Sequence, residues 1–427
     1  MKIACLVCAA MLPAVAQAQF TYTTDNNQIT ITGDTNIPVN GVVVFPSTIL
    51  VDGVSVPVTG IGDYAFFRNN SLINVVIPDS VTSIGDQAFW RCGNLTSVVM
   101  GNCITSIGYN AFERCINLSS ITIPNSVTNL GNGVFYGCGL TNAIIGNGVT
   151  SIGVDEFSGN PFSSITIPNS VTNIGEYAFL YCTKLSSAII PNSVTGIGDY
   201  AFYGCSLTNA IIGNSVTSIG VNAFAGSLFS SIAIPNSVTN IGDYAFSYCD
   251  SLTSAIIGNG ITNIGNYVFS YCSSLTSVII GNGITDIGNS AFYDCEELTS
   301  VFFEGNAPSI DSTVFGVSEG NYSFATIYYL PGTTGWSAFD ANSGLSPAVL
   351  WNPQVQTNDG SFGVQTNQFG FNITGTSNLV IVVEACTNLV NPIWSPVTTN
   401  GLTGGLSYFS DSQWTNYPAR FYRVRSP

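Results

Sequence analysis

Ile167-Pro-Asn-Ser-Val-Thr-Asn-Ile-Gly-Glu-Tyr-Ala-Phe-Leu-Tyr-Cys-Thr-Lys-Leu185 is one unit of a pattern that recurs along most of the chain. Its Ile-Gly dipeptide returns, once as Leu130-Gly131, with glycines at 62, 85, 108, 131, 153, 175, 198, 220, 242, 265 and 288. Successive spacings are therefore 23, 23, 23, 22, 22, 23, 22, 22, 23 and 23 residues. A decayed copy follows at Ile310-Asp311, where Phe315 keeps the phenylalanine found four residues after each repeat glycine. A fixed period of this size predicts a solenoid of about a dozen coils.

Working outward from the glycine, each unit carries apolar or small residues at fixed offsets, as in Ile84, Gly85, Ala88, Phe89, Cys92, Leu95, Val98 and Met100. These are the expected inward positions. Leu95 to Met100 has the L-x-x-L-x-L form, and its end alternates with the two-residue period of a strand. Stacked coils would join such segments into one parallel sheet. The Val-Thr-Ser-Ile-Gly stretch reads as a second extended piece, and Ala-Phe-x-x-Cys as a turn of helix or 3₁₀ that packs its Phe inward. The 22-residue units lose their residue before the strand, as Cys138-Gly-Leu140 against Cys115-Ile-Asn-Leu118 shows. That deletion leaves the strand register intact.

The motif Ile-Pro-Asn-Ser-Val-Thr-x-Ile-Gly-x-x-Ala-Phe-x-x-Cys-x-x-Leu resembles the BspA-like leucine-rich repeat of bacterial surface proteins, over residues 42–316. The resemblance implies an extracellular recognition or adhesion scaffold and supplies no catalytic residues. Gly146-Asn147 and Gly258-Asn259, where most units have Pro-Asn, depart only mildly. The expected fold is a leucine-rich-repeat solenoid, mainly β with short helical or 3₁₀ turns, followed by a small all-β module.

Met1-Lys2, the apolar run Ile3 to Ala16 and Ala16-Gln17-Ala18 fit a secretory signal over residues 1–18, cut before Gln19. Residues 19–41, with alternating Gln28-Ile-Thr-Ile-Thr32, read as a hairpin-like N-terminal cap, and residues 317–350 as a C-terminal cap closed by Trp336 and Phe339. In residues 351–427 the repeat is gone. Phe369 to Ile373, Leu379 to Val383, Leu406 to Phe409 and Phe421 to Val424 are short strand candidates. This module resembles the terminal modules of secreted repeat proteins in verrucomicrobial bacteria.

Composition narrows the chemistry. Only 7% of the 427 residues are charged and 45% are hydrophobic, so Ser, Thr, Asn and Gly must form most of the water-facing surface. A net charge of −16 disfavours nucleic acid and anionic lipid. No stretch after the signal reaches the ~18 apolar residues of a membrane span. The absence of histidine removes Ser-His-Asp and Cys-His nucleophile systems and the commonest metal ligand. Asp63, Asp86, Glu176, Asp199 and Asp243 all directly follow the repeat glycine, which marks a solvated turn column. A catalytic carboxylate pair needs unlike environments. Asp155-Glu156 is the exception, a doublet that displaces the usual Ala and reads as a local repacking or a weak cation site.

Cys92, Cys115, Cys138, Cys182, Cys205, Cys249, Cys272 and Cys295 share one column, with Asn69, Asn160 and Ser227 at its gaps. That exchange suits a small buried residue with a donor facing the backbone better than a disulfide ladder. No cofactor and no metal site is expected.

Two surface columns remain as candidates. Val76, Val99, Thr122, Ile144, Thr166, Ile189, Ile211, Ala233, Ile256, Ile279 and Phe302 would form an apolar ridge on the outer face of the main sheet, bordered by Ser, Thr and Asn. Strand propensity alone accounts for branched residues there; a partner-binding face is the alternative reading. Arg68, Arg91 and Arg114 stack at adjacent coils, as a solvated edge balanced by Asp86 and Glu113 or as an anion patch for carboxylate or sulfate.

The leading functional expectation is a non-enzymatic secreted or cell-surface scaffold that binds a protein or glycan. A passive spacer attached through its C-terminal module is the first alternative, and a carbohydrate-active enzyme the remote second. Export is directly checkable. Amino-terminal sequencing of protein from the native cell should read from near Gln19, and an intact Met1 would refute the leader assignment.

Overall fold

A computed structural model describes residues 4–6, 19–317, 325–345, 347–377, 379–390 and 392–425. The cleavage signature Ala16-Gln17-Ala18 lies outside them. The repeats form a β-solenoid in which nearly every coil contributes one strand to a main parallel face and a two-residue strand to a second one, the segment around Thr166 forming no strand. In the main sheet Asn74–Val76 pairs with Ser97–Val99, Ser120–Thr122 with Asn142–Ile144, and Ser187–Ile189 with Asn209–Ile211. Ser231–Ile234, Ser254–Ile257, Ser277–Ile280 and Ser300–Phe303 continue it in unbroken register. The second sheet runs through such pairs as Ser83–Ile84 with Ser106–Ile107.

The inward columns fill the space between the sheets. Twelve phenylalanines, from Phe66 to Phe315, stack coil upon coil, with ring centroids 5.0 Å apart at Phe89–Phe112 and 5.7 Å at Phe112–Phe135. Burying each such ring contributes about 1.5–3 kcal/mol. Because the rings of adjacent coils cover one another, no coil can realise that gain alone.

The Ala-Phe-x-x-Cys segment is a ribbon of turns. The N–H groups of Ala65, Phe67 and Asn69 bond back to the carbonyls of Gly62, Tyr64 and Phe66, which is the 3₁₀ spacing. Those of Tyr64, Phe66 and Arg68 bond forward to Asp86, Ala88 and Trp90 of the next coil. What keeps the ribbon from being a helix is a pair of left-handed residues in each coil that carries the repeat glycine, two and six positions after it: Tyr64 (φ 55°) and Arg68 (58°) are the first pair. At the second position the chain carries Arg91, Arg114, Tyr181, Tyr248 and Tyr271 but also Gly137, Gly159, Gly204 and Gly226, all with positive φ. Glycine adopts that conformation freely, whereas a side chain there costs about 1 kcal/mol. The repeat glycine itself answers to a different constraint, close approach: a Cβ on Gly108 would sit 2.6 Å from the backbone nitrogen of Asp86 in the coil below.

Polar side chains tie each coil to the one before. Asp63 Oδ1 accepts the Asp86 N–H at 2.8 Å, Asp86 Oδ1 accepts the Tyr109 N–H at 2.8 Å, and Asp199 and Asp243 repeat the bond to Val221 and Asn266. The acidic column expected to be merely solvated is thus a hydrogen-bonded ladder. Threonine hydroxyls form another, with Thr105 donating to Thr82 O and Thr195 to Thr172 O, each at 3.1 Å.

At the N-terminal end the antiparallel hairpin of Gln19–Asp25 and Gln28–Asn36 extends the second sheet, Ile29 and Ile31 lying opposite Val58 and Ile61 of Val54–Ile61. At the other end Thr326–Tyr329 pairs with Ser300–Phe303, and the helix Trp336–Ser343 packs Trp336 and Phe339 onto Phe303 at 5.3 and 5.6 Å. Beyond it two antiparallel sheets face each other. Gln354–Gln356, Gly363–Gln365, Gln368–Thr374 and Leu406–Asp411 form one. Ser395–Gly401, Val380–Cys386 and Phe421–Arg425 form the other, around a core of Phe371, Ile373, Leu379, Ile381, Val383, Leu402 and Phe409.

All eight column cysteines are free and buried. Each thiol donates to the phenylalanine carbonyl of the preceding coil, as from Cys92 to Phe66 O (3.1 Å), Cys115 to Phe89 O (3.2 Å) and Cys295 to Phe269 O (3.1 Å). Asn160 reaches the equivalent Phe135 carbonyl with Nδ2 at 2.8 Å, but the shorter Ser227 hydroxyl is buried without a partner. Burial also pushes the Cys92 thiol up to about 12, from a thiol's usual 9.0. Alkylation of the folded protein should therefore spare the column and modify it only after denaturation. Cys205→Ser should destabilise more than Cys205→Ala, because an unpaired buried hydroxyl costs about 1–3 kcal/mol. Thermal unfolding in the reverse order would show that the hydroxyl does reach the carbonyl.

Candidate functional site

The outer face of the main sheet is built by alternation. Val98 and Met100 turn inward or toward the coil edge, so Ser97 and Val99 face outward, and the parallel register places equivalent residues directly beside one another. The structure brings Val76, Val99, Thr122, Ile144, Ile189, Ile211, Ala233, Ile256, Ile279 and Phe302 into strands, with Ile189 opposite Ile211 and Ile256 between Ala233 and Ile279. Thr166 occupies the same place in a coil whose segment is not a strand. There the surface is shallowly concave, a depression of about 580 Å³ lined by Thr166, Ile189 and Ile211 among others.

The column is exposed over most of its length: 56% at Val99, 59% at Ile189 and 50% at Ile256. No Asp, Glu, Lys or Arg stands in either outward position from Asn74 to Ile279. It also runs further than its eleven sequence-derived members. Val44 pairs beside Val76 at the start, and Tyr328 beside Phe302 at the end.

Phe302, expected on the outer apolar ridge, is instead covered. It is only 6% exposed, stacked on Tyr328 at 4.7 Å. The C-terminal module lies over this end, where Ile279, Phe302 and Tyr328 share a cleft of about 370 Å³ with Arg423, Val424 and Arg425. Tyr328, Val349 and Trp351 pack against the module's core. The basic residues of its last strand are matched internally. Arg423 and Arg425 grip the buried Glu384 at 2.6 and 2.7 Å, and Arg420 pairs with Asp411 at 2.8 Å. Burial opposes the Glu384 charge, but the hydrogen bonds from Arg425 and Arg423 outweigh it and hold the carboxyl below its usual range.

On the turn ribbon, Arg68, Arg91 and Arg114 stand at the second left-handed position of three successive coils. Trp90 lies beneath both Arg68 and Arg91, 5.0 and 4.3 Å from ring centroid to guanidinium carbon, and stacks on Phe67 at 4.6 Å. Arg114 pairs with Glu113 at 3.5 Å. Farther along the ribbon Tyr181, Tyr248 and Tyr271 hold the offset of the three arginines, as their spacing from the repeat glycine implies, and Tyr248 stacks on Tyr271 at 4.7 Å; the parallel stack of Tyr244 on Tyr267, also at 4.7 Å, was not anticipated. Their signal was present in the shared offset from the repeat glycine.

Asp155 and Glu156 do not converge. Asp155 occupies a left-handed turn position and stays half-exposed, whereas Glu156 takes the inward Ala position, fully buried, with neither carboxyl oxygen hydrogen-bonded. Among the described residues no group of three or more Cys, Asp or Glu is placed to hold a metal ion. No helix among them is long and apolar enough to cross a membrane.

This coil architecture, with its sheet, turn ribbon and caps, defines a leucine-rich-repeat solenoid. The BspA type leucine rich repeat region matches the chain in six copies, over residues 44–161, 150–228 and 195–320, and the chain belongs to that family. Among solved structures it is similar to a leucine-rich repeat protein from Bacteroides ovatus, at 24% identity and a TM-score of 0.56, covering 79% of this chain and 99% of that one. A leucine rich cell surface protein from Faecalibacterium prausnitzii aligns at 27% identity and a TM-score of 0.41, over 79% and 99% of the two chains. No curated protein matches significantly.

Glu156 supplies a test of the packing. Burial raises its carboxyl well above the usual 4.5, with Cys138 adding to the effect. A raised folded value means the group's contribution is fully present below about pH 4.5 and is lost as pH rises through the folded value. Glu156→Ala, which restores the residue of neighbouring coils, should stabilise the protein at pH 7 by about 1–3 kcal/mol. Thermal midpoints across pH 4–8 should fall with rising pH in the wild type more steeply than in the variant; equal slopes would refute the assignment.

Proposed function

We propose that the chain is a non-enzymatic scaffold working outside the cytoplasm, which holds a partner along the outer face of its main sheet. The observation that carries this reading is the uncharged, exposed apolar column from Val44 to Ile256, held in register by the sheet. In a chain of net charge −16, a face without a single ionised group excludes like-charge repulsion and keeps the desolvation cost of association low. Serine and asparagine at its border, such as Ser97, Asn142 and Asn209, offer hydrogen bonds at a polar rim. A protein surface fits better than a glycan, since the same column already takes a protein surface at its far end, where Tyr328 beside Phe302 packs against the core of the C-terminal module. The secretory signature at residues 1–18 supports action after export.

With no large exposed aromatic on the open part of the column, each coil contributes modestly and affinity accumulates over several coils. The test is a binding screen of the purified chain against extracellular proteins and glycans, with the triple variant Ile189→Lys, Ile211→Lys, Ile256→Lys alongside. These side chains are about half exposed, so folding should survive while affinity for a partner falls at least about tenfold. Unchanged binding by the triple variant would transfer the role to the C-terminal module and favour the spacer reading.

A further inference from the structure

The arginine column on the turn ribbon lies outside the sheet face and has a separate meaning. Five of the chain's eight basic residues fall elsewhere, so Arg68, Arg91 and Arg114 concentrate positive charge in an otherwise acidic molecule. Among the described residues Arg114 alone of the three forms an ion pair, with Glu113. Arg68 and Arg91 flank the same indole, and the Arg91 Nε is buried without a hydrogen-bond partner. All three stand at left-handed positions that other coils fill with Gly137, Gly159, Gly204 and Gly226. The arrangement therefore sets like charges side by side, which the cation–π contacts with Trp90 only partly offset.

We propose that this column is a binding site for a short acidic saccharide, carrying a carboxylate or sulfate on successive sugars. Guanidinium groups bind such oxyanions through paired, charge-assisted hydrogen bonds. The arginines repeat with the coil, at roughly the 4.8 Å separation of neighbouring strands. That is close to the length of one pyranose residue. Exposed Tyr64 and Phe67 at the head of the column give the sugar's C–H surface an apolar edge to rest on. The net charge of −16 acts against long polyanions, whereas a ligand of two or three sugars reaches little beyond the three arginines themselves.

The experiment measures binding of the full chain to trigalacturonate, long polygalacturonate, a neutral maltotriose and a glutamate-rich peptide, at low and physiological salt. The variant Arg68→Gly, Arg91→Gly, Arg114→Gly suits the left-handed backbone, so its thermal midpoint should hold or rise. Trigalacturonate should bind the wild type, weaken with salt, and lose at least about tenfold in the variant, the equivalent of one charge-assisted hydrogen bond. Maltotriose should not bind, and the long polymer should bind no more tightly per site than the trimer. Absence of trigalacturonate binding, equal binding by the variant, or preference for the peptide would each overturn the proposal. A variant that unfolds would do so as well, since it would make the arginines structural.

Discussion

Every coil must satisfy its backbone and its polar side chains across one fixed gap, the distance to the next coil. That single spacing explains the composition. Side chains repeating in register meet their own kind, and like charges set one strand apart repel. Neutral donors and acceptors do not: threonine hydroxyls, asparagine amides and cysteine thiols each find a carbonyl in the coil before. Where carboxylates do recur, as at Asp63 and Asp86, each is matched by a backbone N–H of the following coil. The low charge content is thus a requirement of stacking before it is a property of the surface.

The same spacing made much of the fold legible in the sequence. Inward residues such as Ile84, Phe89 and Leu95 keep fixed offsets because a one-position slip would expose them, and Trp336 and Phe339 stood out as apolar residues past the last coil. Backbone conformation was harder to read. The exchange of Arg68, Tyr181 and Gly137 at one offset is a change of side chain on an unchanged left-handed backbone, and only the glycines hint at it. In the C-terminal module the strands Phe369 to Ile373 and Leu379 to Val383 announce themselves by apolar content. Ser395–Gly401 does not, since it is a sheet-edge strand rich in polar residues and tolerates Pro396.

For the candidate site, the sequence located the column but not its surroundings. Alternation within a strand is a local property, so the outward direction of Val99 or Ile189 follows from its neighbours. That Phe302 is covered depends on the stacked Tyr328 of a later strand, itself held against the core of the C-terminal module, and no local pattern records that arrangement. The acidic doublet illustrates the converse. Asp155 and Glu156 are adjacent in sequence, yet the turn sends one to the surface and the other into the core.

The hairpin at one end of the array and the Trp336–Ser343 helix at the other also govern what the protein does not become. A stack of near-identical parallel strands presents, at each terminus, an unpaired edge with the geometry of the next rung, and a second chain could add to it indefinitely. The hairpin breaks that geometry by reversing strand direction, and the helix lays an apolar face without free ladder groups across Phe303. Finite length is therefore written into the termini: the repeats carry the information to propagate, and the caps carry the instruction to stop.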